Sequence, residues 1–296
     1  MADLAVTPDA PPASPARSVL LWRRVRRNPL SFAAICVIAA LALAAALAPW
    51  IAPFDPNDTD AAAALQSISP RHLLGTDVYG RDQLSRIIYA SRLDLVIPLS
   101  ATAAALALGS LLGAMAGYRG GWVDQLVMRS VDAVMAFPAF VLAMGITAAL
   151  GNTTTNIAIA IAVTQVPSYL RLIRGEMLRV REMEYSEAAR TVGNPPWRIV
   201  LVHLFPNCIP PLIVQATLAM GYALLTMAAL SFIGLGIQPP ESEWGYMTAE
   251  GAGQMVTGQW WLFLFPGLAI MITVLAFNLL GDGLRDFLDP RMRGIR

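Results

Sequence analysis

EAARTVGNPPWRIVLVHLFPN, residues 187–207, is half polar yet lies between long apolar runs. Its punctuation predicts two short helices. Tyr185 to Val192 is a helix-forming run, and Gly193 ends it, because glycine accepts the left-handed conformation that commonly closes a helix. Asn194 is placed to cap a second helix, and Pro195 to take its first position, where no N–H is needed. Pro206 should end that helix. The stretch reads as two short helices, bent sharply at Gly193–Asn194 and held at a membrane surface.

The membrane follows from what flanks it. Of the 296 residues, 56% are hydrophobic and 14% charged, against about 25% charged in a soluble domain. The charges cluster and leave long uncharged runs, as in a polytopic membrane protein. Beyond residue 207 the candidate spans are Ile209–Gly236 and Trp260–Gly281, the latter opening on Trp260 and Trp261, which suit an interfacial belt. Before residue 187 lie Ile157–Leu170, Ala133–Leu150, Leu95–Tyr118 and Leu30–Trp50. Ile157–Leu170 is short and needs residues up to Ile173, with Arg171 or Arg174 snorkelling. Pro138 breaks Ala133–Leu150. In Leu95–Tyr118, Gly109, Gly113 and Gly117 fall four apart on one helix face, a stripe suited to close packing against another transmembrane helix. The expected fold is therefore all-α, with six transmembrane helices.

Leu30–Trp50 follows Arg23, Arg24, Arg26 and Arg27, so a cleaved signal peptide competes with a first span. Its 21 uncharged residues exceed the roughly 7–15 of a signal core, which favours an uncleaved helix. The expected organisation is a disordered tail (1–16), a first helix with a long outer loop (17–94), a transmembrane core (95–285) containing the polar loop 174–208, and a terminal tail (286–296). Every basic residue is arginine, and 17 of the 21 fall in alternate segments that include both ends and residues 171–208. The positive-inside rule puts those segments in the cytoplasm.

The long outer loop ends in HLLGTDVYGRDQLSRIIYASRLDL, residues 72–95. Leu84, Ile87 and Ile88 recur at helical spacing opposite Arg81, Asp82, Ser85 and Arg86. That pattern predicts an amphipathic surface helix with an Asp82–Arg86 pair.

Several function classes fall away. A Walker A loop needs a lysine, and this chain has none, so any ATPase that drives it is another chain. The glycine clusters 234–236 and 251–253 do not fit a dinucleotide-binding pattern. Cys36, Cys208, His72 and His203 stand apart and read as structural, with no metal spacing. No span carries a central ionisable group, which disfavours an ion-coupled secondary transporter. No catalytic constellation is visible, and no nucleic-acid partner is expected.

Glu187, Ala188, Ala189, Gly193 and Pro206 together resemble the EAA loop of the inner-membrane permease subunits of ABC importers; Phe205 stands where leucine is usual. Gly75-Thr76-Asp77 with Gly80-Arg81-Asp82 is similar to a signature of one branch, the second permease of peptide and nickel importers. SFIGLGIQPPESEWGYM (231–247) and the tail Gly281 to Pro290 look like the same branch, so the resemblance spans about Trp22 to Arg293. It implies a type I ABC importer permease in a bacterial inner membrane with both termini cytoplasmic, and no enzyme activity or cofactor in this chain. It also implies partners: a second permease, two cytosolic ATPase subunits that bind ATP and Mg, and an extracytoplasmic solute-binding protein. The loop around Glu187–Gly193 would dock on an ATPase subunit. Di- or oligopeptides are the expected cargo, with nickel or glutathione as alternatives; a secondary transporter or a non-transport scaffold is the rival class.

Overall fold

The computed structural model describes residues 29–288. The expected tail 1–16, the arginine cluster 23–27 and residues 289–296 of the expected tail 286–296 lie outside them. The described residues are almost wholly helical: α1 (Pro29–Ile51), α2 (Gln83–Arg119), α3 (Gly121–Met135), α4 (Ala139–Leu150), α5 (Thr154–Arg181), α6 (Glu184–Thr191), α7 (Pro196–Arg198), α8 (Phe205–Phe232), α9 (Trp244–Gln254) and α10 (Trp261–Leu288). Helices α1, α2, α5, α7–α8 and α10 are long and apolar enough to cross a membrane, and α3 with α4 makes a sixth span if the two count as one bent unit. The bend is 85°. It falls at Pro138, which has no N–H to donate and biases Phe137 away from helical backbone.

The core is the seam between α2 and α5, which share the most extensive helix contact. Gly109, Gly113 and Gly117 face α5 so closely that an added Cβ would meet Tyr169 Cβ at 2.7 Å, the Leu170 carbonyl oxygen at 2.5 Å and Met177 Cβ at 2.8 Å respectively. Such contact suits a lipid setting, where close van der Waals packing, more than water exclusion, holds helices together. Gln165 adds a buried polar tie, taking the Thr102 hydroxyl at 3.3 Å and donating to the Ala219 carbonyl at 3.2 Å, so that α2, α5 and α8 meet at one point.

Several local expectations need correction. Helix α2 begins at Gln83, so the amphipathic stretch is its first turns and not a separate surface helix. Its polar side is the buried one: Ser85 and Arg86 are almost completely covered, while Leu84, Ile87 and Ile88 are partly exposed. The polar groups face protein partners and the apolar ones face outward, the reverse of a water-soluble amphipathic helix. In α5, Arg171 and Arg174 pair with Asp132 (2.7 Å) and Asp124 (2.6 Å) of α3. Pro206 does not end a helix. Residues Ile199–Leu204 form a π-helical turn that runs straight into α8, with Pro206 in its first turn. The widened turn shifts the carbonyl against which a proline ring would clash, so the chain stays helical through it. Trp261 is 7% exposed and packs inside, whereas Trp260 is half exposed.

Candidate functional site: an exposed helix and a buried charge cluster

Helix α6 follows the end of α5 that packs beside the C-terminal end of α2. It turns Ser186 and Ala189 inward and leaves Glu187, Ala188 and Arg190 exposed. Its closure is specified locally. Gly193 sits at φ +82; its N–H reaches the Arg190 carbonyl (2.9 Å), and the Asn194 N–H reaches that of Ala189 (3.4 Å). That is the paired 5→2 and 6→1 pattern of a Schellman ending, which needs a left-handed residue at the Gly193 position. The Asn194 side chain donates to the same Ala189 carbonyl at 3.0 Å. Asn194 therefore closes the first helix and does not cap the second, whose cap position is Pro195 with no side-chain bond. Around Gly193 there is open space for a side chain. Beside it Val192 (81%) and Trp197 (64%) are exposed. Both are large apolar groups left uncovered on a mostly polar loop. Sequence reasoning singled out Glu187, Ala188 and Gly193 in this loop and passed over Val192 and Trp197, whose exposure polarity alone does not reveal. Pro206 is also exposed, at the start of α8.

The Gly75–Asp82 string folds into a buried knot at the N-terminal end of α2. Asp77 is fully buried. Its carboxylate accepts the N–H groups of Tyr79 (2.8 Å) and Arg81 (2.9 Å), the Arg81 Nε (2.6 Å) and the Arg86 Nη1. Glu250, from α9, faces the same two guanidinium groups, at 3.0 Å from Arg86 and 3.5 Å from Arg81. Asp82 caps α2 through the Ser85 N–H (2.8 Å) and also meets His72 Nδ1 at 2.9 Å. The expected Asp82–Arg86 pair is thus replaced by Asp82–His72 and Arg86–Asp77, and His72 is not solitary. Thr76 ties in the preceding loop through the Ala63 carbonyl (2.5 Å). Gly75 and Gly80 both have φ +76, and a Cβ on Gly80 would stand 1.8 Å from the Asp60 carbonyl oxygen. The knot is closed by α10, where the Trp261 indole N–H reaches the Thr76 carbonyl at 3.4 Å.

About two turns further along α2, Asp94 accepts the Trp244 N–H at 3.1 Å, and the Trp244 indole donates to the Ile87 carbonyl at 3.0 Å. Glu243, fully buried, caps α9 by accepting the Gly245 and Tyr246 N–H groups, both at 2.7 Å. Burial pushes the Glu243 carboxyl above its ordinary range, against the opposing pull of those two N–H groups. Asp94 and Glu250 escaped sequence reasoning because their partners, Trp244 and Arg86, lie 150 and 164 residues away. α2, α3 and α5 do carry ionisable groups, among them the ion pairs Arg171–Asp132 and Arg174–Asp124.

Between α4, α5 and α8 lies a cavity of about 510 Å³ lined by Gln165, Ser168, Tyr169, Gln215 and Tyr222 among apolar residues. It is the polar opening within the spans. A wider apolar groove of about 890 Å³ runs along α2 and α8 from Leu99 to Trp197. Among the described residues no three His, Cys, Asp or Glu side chains are grouped to hold a metal ion.

Residues 109–294 match the family described as binding-protein-dependent transport system inner membrane component. Residues 14–70 match the N-terminal TM domain of oligopeptide transport permease C. The chain is 43% identical over 275 residues to a probable D,D-dipeptide transport system permease protein of Escherichia coli, covering 93% of this chain and 92% of the relative. It is 42% identical over 287 residues to a dipeptide transport system permease protein of Alkalihalophilus pseudofirmus, covering 96% and 94%. A glutathione transport system permease protein of Pectobacterium atrosepticum is 38% identical over 273 residues, covering 92% and 90%.

Proposed function

Because the chain belongs to the family of binding-protein-dependent transport system inner membrane components, we propose that it is the permease subunit of an ATP-driven importer and forms part of a path for di- or oligopeptides. The observation that carries this reading is identity of about 42% to peptide permeases along more than nine-tenths of both chains. Glutathione, itself a short peptide, is the second reading, supported by the 38% identical relative.

The mechanism assigns each end of the bundle a task. Helix α6 docks on a separate ATPase subunit: Glu187 offers a carboxylate to a basic partner residue, Ala188 permits close approach, and Val192 and Trp197 enter an apolar depression. Gly193 fixes the angle between α6 and α7. Nucleotide then favours one arrangement of the spans because it favours one position of α6. The Asp77 knot faces the opposite side, where a solute-binding protein delivers cargo. Gln165, Gln215 and Tyr222 line the path and offer hydrogen bonds to peptide groups without a fixed charge. A second, different permease completes the path, and both termini are cytoplasmic, as the arginine distribution supports.

Reconstitution of the complete transporter in proteoliposomes tests this. ATP with the binding protein should drive accumulation of a labelled dipeptide, and omission of either should abolish it. Accumulation that needs only a proton or sodium gradient would overturn the reading.

A further inference from the structure

A separate cavity, of about 310 Å³, lies at the Asp77 end and not among the spans. Its walls come from three places: the loop after α1 (Asp55, Asn57), the first turns of α2 (Tyr89, Arg92) and the loop before α9 (Glu241, Ser242). Its volume falls at the lower end of the roughly 300–1,000 Å³ typical of small-molecule sites. Arg92 is held in place. Its Nε donates to the Ala45 carbonyl at 2.7 Å, and its guanidinium lies 5.3 Å from the Tyr89 ring centre. The terminal nitrogens are left as donors. Asp55 is likewise set, one carboxylate oxygen taking the Asn57 N–H at 2.8 Å. Ser242 is 7% exposed, and its hydroxyl has no partner although it lines the cavity. A buried hydroxyl left unpaired is costly unless something in the cavity satisfies it.

The lining combines one guanidinium, two carboxylates and a buried hydroxyl in a space too small for a protein segment. We propose that this cavity binds a small zwitterion, with Arg92 taking a carboxylate, Asp55 and Glu241 taking an ammonium, and Ser242 taking a neighbouring amide or carboxyl oxygen. A free amino acid or a dipeptide has both groups, and the excess of one carboxylate favours a ligand that keeps its ammonium free. The site is distinct from the Gln165–Gln215 cavity. It rests on its own residues and not on the transport reading.

The probe is L-alanyl-L-alanine, with its N-acetylated amide as the blocked form. The full chain in its assembled transporter carries Ser242→Cys, with Cys36→Ser and Cys208→Ser to remove the native thiols. Alanyl-alanine should slow labelling by a small maleimide, and the blocked peptide should not. Glu241→Gln, an exposed position that leaves the fold alone, should raise the peptide concentration needed by about tenfold or more, the effect of losing one charge-assisted bond. Equilibrium binding of radiolabelled alanyl-alanine to the otherwise unaltered complex, with and without Glu241→Gln, gives the same comparison free of the cysteine. No binding, equal protection by the blocked peptide, or indifference to Glu241→Gln overturns the proposal. ATP-driven uptake is read alongside: uptake without protection sinks this site alone, and protection without uptake sinks the transport reading alone.

Discussion

Gly113 of α2 rests against the backbone of Leu170 in α5, where a single added carbon would stand 2.5 Å from the carbonyl oxygen. Backbone cannot swing aside as a side-chain tip can. Gly113→Leu should therefore destabilise the solubilised protein by about 1–3 kcal/mol or more through overpacking. Gly145→Ala, where nothing lies within 4 Å, should leave its thermal midpoint unchanged or slightly raised. Equal midpoints for the two variants would mean that the seam is looser than described.

Gly193 makes the opposite case: space is open, but the backbone is left-handed at φ +82. A branched residue there costs roughly 1–2 kcal/mol, while asparagine visits that region readily. Gly193→Val should abolish coupled uptake with little change in global stability, and Gly193→Asn should retain most of it. ATP hydrolysis by the free ATPase subunit should be untouched by either. Equal uptake by both variants would remove Gly193 from the coupling role.

Asp77→Asn leaves two buried guanidinium groups facing only Glu250. Breaking a buried pair on one side costs about 3–5 kcal/mol, so the thermal midpoint should fall by roughly 10 °C. Asp132→Asn breaks a pair whose side chains are 49% and 44% exposed, which is worth under about 1 kcal/mol. A calorimetric scan of each variant in the same detergent distinguishes the two.

Glu243 carries a pH signature. Its carboxyl is held above the ordinary value of 4.5 by burial and lies against that of Asp94, so the pair retains in the folded protein a proton that the unfolded chain releases. That contribution to stability is complete below about pH 4.5 and is lost as pH rises through the folded value. Thermal midpoints measured upward from pH 4.5 should fall less steeply in Glu243→Gln than in the parent. An identical slope would show that Glu243 does not hold the extra proton.

The spans were legible because hydropathy over about twenty residues reports burial in lipid directly. A helix end was legible where one residue decides it, as with Gly193. The Arg81–Arg86 stretch was misread because a polar face was taken to be a wet face; here the polar side chains are buried against Asp77 and Glu250, and the aliphatic ones look outward. No local pattern reveals that Arg86 meets Glu250, 164 positions away, or that Asp94 holds Trp244. Pro206 misled because a proline stops a regular helix but not one widened by a π turn.

Helix α2 is one unbroken element of 37 residues, about 55 Å from end to end. Its first turn is cemented into the Asp77 knot, and its far half is welded to α5, from which α6 projects. A rod gripped at one end magnifies rotation: a tilt of about 5° at the knot sweeps the other tip through roughly 5 Å, about one helical turn. A change in the seating of a few buried charges at the knot would therefore reach the far tip of α2, beside the junction of α5 and α6, as a displacement of several ångströms.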